Sequence, residues 1–343
     1  MTRAASASLV LTILLLLSVG AVYAKDRLLE PKGASRDLKH ANYWSSEIHT
    51  LGAPEAYQEF SRAVAKENPS FQHAASHAFG EALYAIEGIG GISVCDQQFG
   101  YGCFHQVTAE EIFNKGLGSI ASLGTLCNGM IECLHGAGHG ILAYLGYGRS
   151  NLDEALRACS KMPGGNVYNG CADGVIMEYD LRIMANNENP TTGFRHIGSN
   201  LYEPCDTLTS QFERSECYFW QPRVWTENWI KTETPENILV RSAKLCNALA
   251  GDSKVFCITG IGQTVPSSSG YNVARSAKLC ATLSDELSRN TCTSAAAKVF
   301  AGATSRGDAT VLCNTLTLPT SKACNEYVGR PGTPLTLLTL LTT

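Results

Sequence analysis

The chain has 343 residues, with 27 basic and 31 acidic side chains giving a formal net charge of −4, and it carries 14 cysteines and 8 histidines. No block of one charge sign occurs, so there is no basic stripe to displace counterions from a phosphate backbone, which argues against a nucleic-acid partner.

Arg3, the apolar run Leu9–Val22 and the small-residue ending Val22–Ala24 before Lys25 read as a secretory signal. A cleavage pattern after so short a run favours removal over a membrane anchor, so residues 1–24 are set aside. No later segment is apolar and long enough to cross a bilayer. The expected location is therefore secreted or periplasmic, a route in which cysteines pair by default. Residues 25–70 form a polar segment with a helix expected over Pro54–Lys66.

Two similar stretches follow in residues 71–180. "HAASHAFGEALYAIEG" begins with His73 and His77, and "HGAGHGILAYLGYG" begins with His135 and His139, at an offset of 62 residues for both pairs. Residues at i and i+4 lie one turn apart on one helix face, where two imidazoles can chelate one ion. Two duplicated HxxxH helices packed together would assemble four imidazoles, as cofactor sites are built between the facing helices of bundles. After each pair comes a Cys pair, and in this register His105 aligns with Asp173. His105, Asp173 and Glu178 are thus taken as completions of a ligand set of His73, His77, His135 and His139. Imidazole-rich sites suit copper, zinc, iron or nickel. Bis-imidazole haem is an alternative cofactor, held without covalent attachment because no CxxCH is present. Paired HxxxH helices are similar to those of binuclear copper proteins of the haemocyanin and tyrosinase kind. The similarity covers the four histidines, and a third histidine after the second pair is missing. Close helix packing accounts for Ala74, Ala75, Ser76, Gly136, Ala137 and Gly138 equally well without metal.

The cysteines fall into neighbouring pairs: Cys95 with Cys103, Cys127 with Cys133, Cys159 with Cys171, Cys205 with Cys217, Cys246 with Cys257, Cys280 with Cys292, and Cys313 with Cys324. Their flanks repeat. "RSAKLCNAL" (Arg241–Leu249) recurs 34 residues on as "RSAKLCATL" (Arg275–Leu283), and "TVLCNTL" (Thr310–Leu316) follows. Each unit reads as helix, loop, helix, with one cysteine near the end of the first helix and one near the start of the second. Repeats of this length built from two short helices define an all-α array of disulfide-stapled hairpins, an α-solenoid or helical-repeat bundle, with residues 181–328 as its second half. The spacing lacks the CxxC of zinc knuckles, so the cysteines are structural.

Glu81 and Glu132 read as solvated, and His40, His49 and His196 as surface residues. Tyr218, Phe219, Trp220, Trp225 and Trp229 have partial helical spacing and read as core. Residues 329–343 form a Thr/Leu-rich extended tail, a candidate for pairing with a second copy, as are the exposed ends of a repeat array. Three functions fit these features. The first is a His-rich transition-metal site. The second is a metal-free scaffold that self-assembles or binds a protein. The third is a metal-dependent oxidoreductase or hydrolase.

Overall fold

Short helices need tertiary support, because a nucleus of one turn is costly and three-turn helices are marginal alone. The computed structural model meets this need by packing helices in a series. It describes residues 37–184 and 194–329; the signal-like residues 1–24 and the tail beyond Gly329 lie outside the described residues. All regular secondary structure among the described residues is helical, with no strand among them. No helix among them is long and apolar enough to cross a membrane.

Three helices open the series: α1 (Ala41–Leu51), α2 (Ala53–Val64) and α3 (Pro69–Glu87). The expected helix over Pro54–Lys66 is α2, and α1 joins it to bury Trp44, Ile48, Phe60 and Val64 against Phe79 and Leu83 of α3. Asn68 caps α3 by accepting from the Phe71 N–H at 3.0 Å, Pro69 occupies the first turn, and Gly88 at φ +59° ends it.

Hairpins follow: α4 (Gly102–Lys115), then α5 (Ile120–Cys127) with α6 (Ile131–Leu145), and α7 (Arg149–Lys161) with α8 (Cys171–Leu181). Next come α9 (Gln211–Trp229), α10 (Pro235–Asn247) with α11 (Gly251–Ser268), α12 (Val273–Ala281) with α13 (Glu286–Ala303), and α14 (Arg306–Cys313) with α15 (Thr320–Gly329). All seven neighbouring cysteine pairs are bonded, Cys95–Cys103, Cys127–Cys133, Cys159–Cys171, Cys205–Cys217, Cys246–Cys257, Cys280–Cys292 and Cys313–Cys324. No described cysteine is free. A bridge closing a loop of this size contributes about 3 kcal/mol in the chain-entropy model, which suits helices too short to stand unaided.

The second helix of each stapled pair packs on the second helix of the next, giving a row α3, α4, α6, α8, α9, α11, α13. Glycines set the spacing of this row. Three residues past the second cysteine of a unit, Gly136, Gly174 and Gly260 lie against the carbonyl oxygens of His105, His135 and Phe219. Each of those carbonyls belongs to the residue two past the second cysteine of the preceding stapled unit. A Cβ at any of the three glycines would overlap that oxygen, so the backbones meet only because none is there. The row also bends: Ser70 Oγ meets Tyr271 OH at 2.9 Å across 201 residues, and the turn Gln98–Tyr101 packs on α13.

Candidate metal centre

In that row the residues two past the second cysteine are stacked from helix to helix. His105 on α4, His135 on α6 and Asp173 on α8 hold this position in consecutive units. The two HxxxH helices, α3 and α6, are therefore separated by α4, which packs on both. Sequence matching paired α3 with α6 directly and set His105 opposite Asp173; the structure instead makes α3, α4, α6 and α8 successive members of one row. The outcome is a larger cluster. Five imidazoles converge, with ring centroids 4.8 Å apart for His105–His135 and 6.4 Å for His77–His139. His77, His105, His135 and His139 are buried, and His73 keeps a partly exposed edge.

Within each HxxxH pair the Nε2 atoms point at each other, 3.2 Å apart for His73–His77 and 3.0 Å for His135–His139. Their Nδ1 atoms are all committed elsewhere. His73 Nδ1 donates to the Phe99 carbonyl at 2.8 Å, and His77 Nδ1 to Gln106 Oε1 at 2.9 Å. His135 Nδ1 donates to Asp173 Oδ2 and His139 Nδ1 to Glu178 Oε2, both at 2.9 Å. The tautomers follow from the partners. A peptide carbonyl and carboxylates only accept, and the Gln106 amide nitrogen is occupied as donor to Glu110 Oε1, leaving its oxygen toward His77. In its neutral form each of these rings therefore carries its lone pair on Nε2, and the lone pairs of each pair face one another. A cation between them removes that repulsion.

The supports are themselves fixed. Phe99, Gly100 and Tyr101 all have positive φ (56°, 64° and 61°), a run that aims the Phe99 carbonyl at His73. Left-handed backbone costs about 1–2 kcal/mol at each non-glycine residue, a strain of the kind that gathers at functional sites. Asp173 also accepts from Trp220 Nε1, and Glu178 from Tyr147 OH and the Met184 N–H. Asp173 and Glu178, expected as ligands, stand behind the imidazoles and orient them. His105 has a buried Nδ1 with no hydrogen-bond partner. Its ring and those of His73 and His77 each bring one nitrogen to within 4.8 Å of the others.

Burial pushes the imidazoles of His77, His105 and His139 well below their usual range, with charge on the neighbouring rings adding to it, and lowers His73 as well. The rings are held neutral, as metal ligation requires. The remaining histidines, His40, His49 and His196, are exposed and outside the cluster. Tyr218, Phe219, Trp220, Trp225 and Trp229 are core. Gln106 is a site residue that the sequence did not single out, and Trp220, read there as core, also donates its Nε1–H to Asp173.

Comparison with protein-family models, with curated proteins and with solved structures finds no match to this chain. The class of protein is therefore what the fold and the cluster define: an all-helical, disulfide-stapled chain with a buried histidine cluster.

Proposed function

We propose that this protein binds a late first-row transition ion, of the zinc, copper or iron class that imidazole suits, within its five-histidine cluster. The observation that carries this reading is the pair of Nε2–Nε2 separations of 3.0 and 3.2 Å between nitrogens whose Nδ1 partners fix them as lone-pair donors. Two imidazoles bound to one ion at about 2.0–2.1 Å stand about 2.9–3.4 Å apart for bond angles between square and tetrahedral. Both pairs fall in that interval. Axial haem ligands lie on opposite sides of the iron, about 4 Å apart, which neither pair matches. Acceptors on the Nδ1 atoms of His73, His77, His135 and His139 follow the usual pattern of metal-ligating histidines. The seven disulfides fit an oxidising compartment. Elemental analysis of untagged protein beside a His135→Ala/His139→Ala variant tests the reading. Stoichiometric metal in the first and less in the second is expected. Folded protein that takes up no ion from zinc or copper solutions would refute it.

A further inference from the structure

The two halves of the cluster differ in what stands behind the imidazoles. Behind His135 and His139 are two carboxylates, Asp173 and Glu178, both fully buried. Behind His73 and His77 are a peptide carbonyl and a side-chain amide, Phe99 and Gln106, which carry no charge. His105, central in the cluster with its ring 4.8 Å from that of His135, brings a nitrogen to within 4.8 Å of those of His73 and His77 and completes a neutral set of three. Glu110, at a half-buried position, accepts from the Gln106 amide rather than from an imidazole.

Charge then decides what each half can hold. A divalent ion at His135 and His139 is matched by two buried negative charges one hydrogen bond away. The same ion at His73, His77 and His105 leaves two positive charges uncompensated in a desolvated place, a cost that ligation by neutral nitrogen does not remove. An ion of single charge halves that burden, and among the metals that imidazole suits copper is the one with a ready monovalent state.

Resting on the metal-binding reading above, we infer that the cluster is two unequal ion sites: His135 and His139 take a divalent ion first, and His73, His77 and His105 form a second site selective for Cu(I) over divalent ions. The glutamine at position 106 sets this selectivity, because it occupies for His77 the place that Glu178 occupies for His139.

The test is competitive chelator titration of the full chain, disulfides intact, with Zn2+ alone and with Cu(I) alone, the latter delivered anaerobically as its acetonitrile complex without thiol. One tight equivalent of Zn2+ and two of Cu(I) are expected. The Zn2+ equivalent should be lost in His135→Ala/His139→Ala and kept in His73→Ala/His77→Ala. In Gln106→Glu a second Zn2+ equivalent should tighten by about tenfold or more, the low end of the effects of second-layer partners. Two Zn2+ equivalents of equal affinity in the unaltered chain would overturn the ordering, as would a Gln106→Glu protein that binds Zn2+ unchanged; either leaves metal binding itself standing. Binding of neither ion would defeat the metal reading and this one with it.

Discussion

Asp173 Oδ2 accepts from His135 Nδ1 at 2.9 Å, although the two residues hold the same place in consecutive stapled units, two past Cys133 and two past Cys171. One repeat position supplies an imidazole of the cluster in one unit and that imidazole's orienting group in the next. Asp173 also accepts from the buried Trp220 Nε1, so both of its oxygens are in use.

Asp173→Asn offers one acceptor to two buried donors. It should cost about 1–3 kcal/mol in stability by leaving one donor unsatisfied. Metal affinity should fall by about 10–100-fold through loss of ring orientation and basicity. Urea denaturation and chelator competition on the same preparation separate the two effects. An affinity equal to that of the unaltered chain would show that Asp173 does not position His135.

The staples and HxxxH pairs were legible because both are local: a disulfide across a dozen residues and an i, i+4 pair need no knowledge of distant chain. What the sequence hid was register. The shared HxxxH makes α3 and α6 look like direct partners, yet α4 stands between them and places His105 in the centre. The signal was present in the cysteine spacing, which puts His105, His135 and Asp173 each two residues past a second cysteine. Gln106 and Trp220 had no such signal, because the hydrogen bonds that give them a part cross between helices.

Glycine positions on α6 report how the cluster is held. A Cβ on Gly138 would overlap the Cys171 carbonyl of α8, whereas one on Gly302 of α13 meets nothing within 4 Å. Gly138→Ala should destabilise by about 1–3 kcal/mol, as overpacking does. It should also weaken metal binding, since α8 carries Asp173 and Glu178. Gly302→Ala should be neutral or stabilising by up to about 1 kcal/mol, from reduced freedom of the unfolded chain. Thermal melts of the two variants check the contrast, and equal melting temperatures would count against close α6–α8 packing.

The neutral histidines make the metal-free protein sensitive to acid. His73, His77, His105 and His139 are held below the ordinary value of 6.5, by burial first and then by charge on neighbouring rings. In the unfolded chain they titrate near 6.5, so below that pH the unfolded state binds more protons than the folded one. Stability therefore falls as pH drops from about 7 toward 5, and is flat with respect to these groups above about 7.5. Urea midpoints of chelator-treated protein across this range should show the decline. A His77→Ala/His105→Ala variant should show a shallower one.

Glu216 works in the opposite direction. Its side chain is fully buried, its Oε1 accepts from the Asn169 N–H at 2.9 Å, and burial, followed by the charge of Asp173, pushes its carboxyl well above the usual value of 4.5. A carboxyl so raised binds its proton more tightly in the folded state. Its contribution is complete below 4.5 and is lost as pH rises through the folded value. Glutamine keeps the acceptor for Asn169, presents an N–H toward Asp173 and has no charge to bury. Glu216→Gln should thus stabilise the protein at neutral pH, with the gain shrinking as pH falls toward 4.5. Denaturation curves of the two proteins at neutral and at acid pH decide the matter: a variant less stable at neutral pH would mean that the Glu216 charge itself supports the fold beside Asp173.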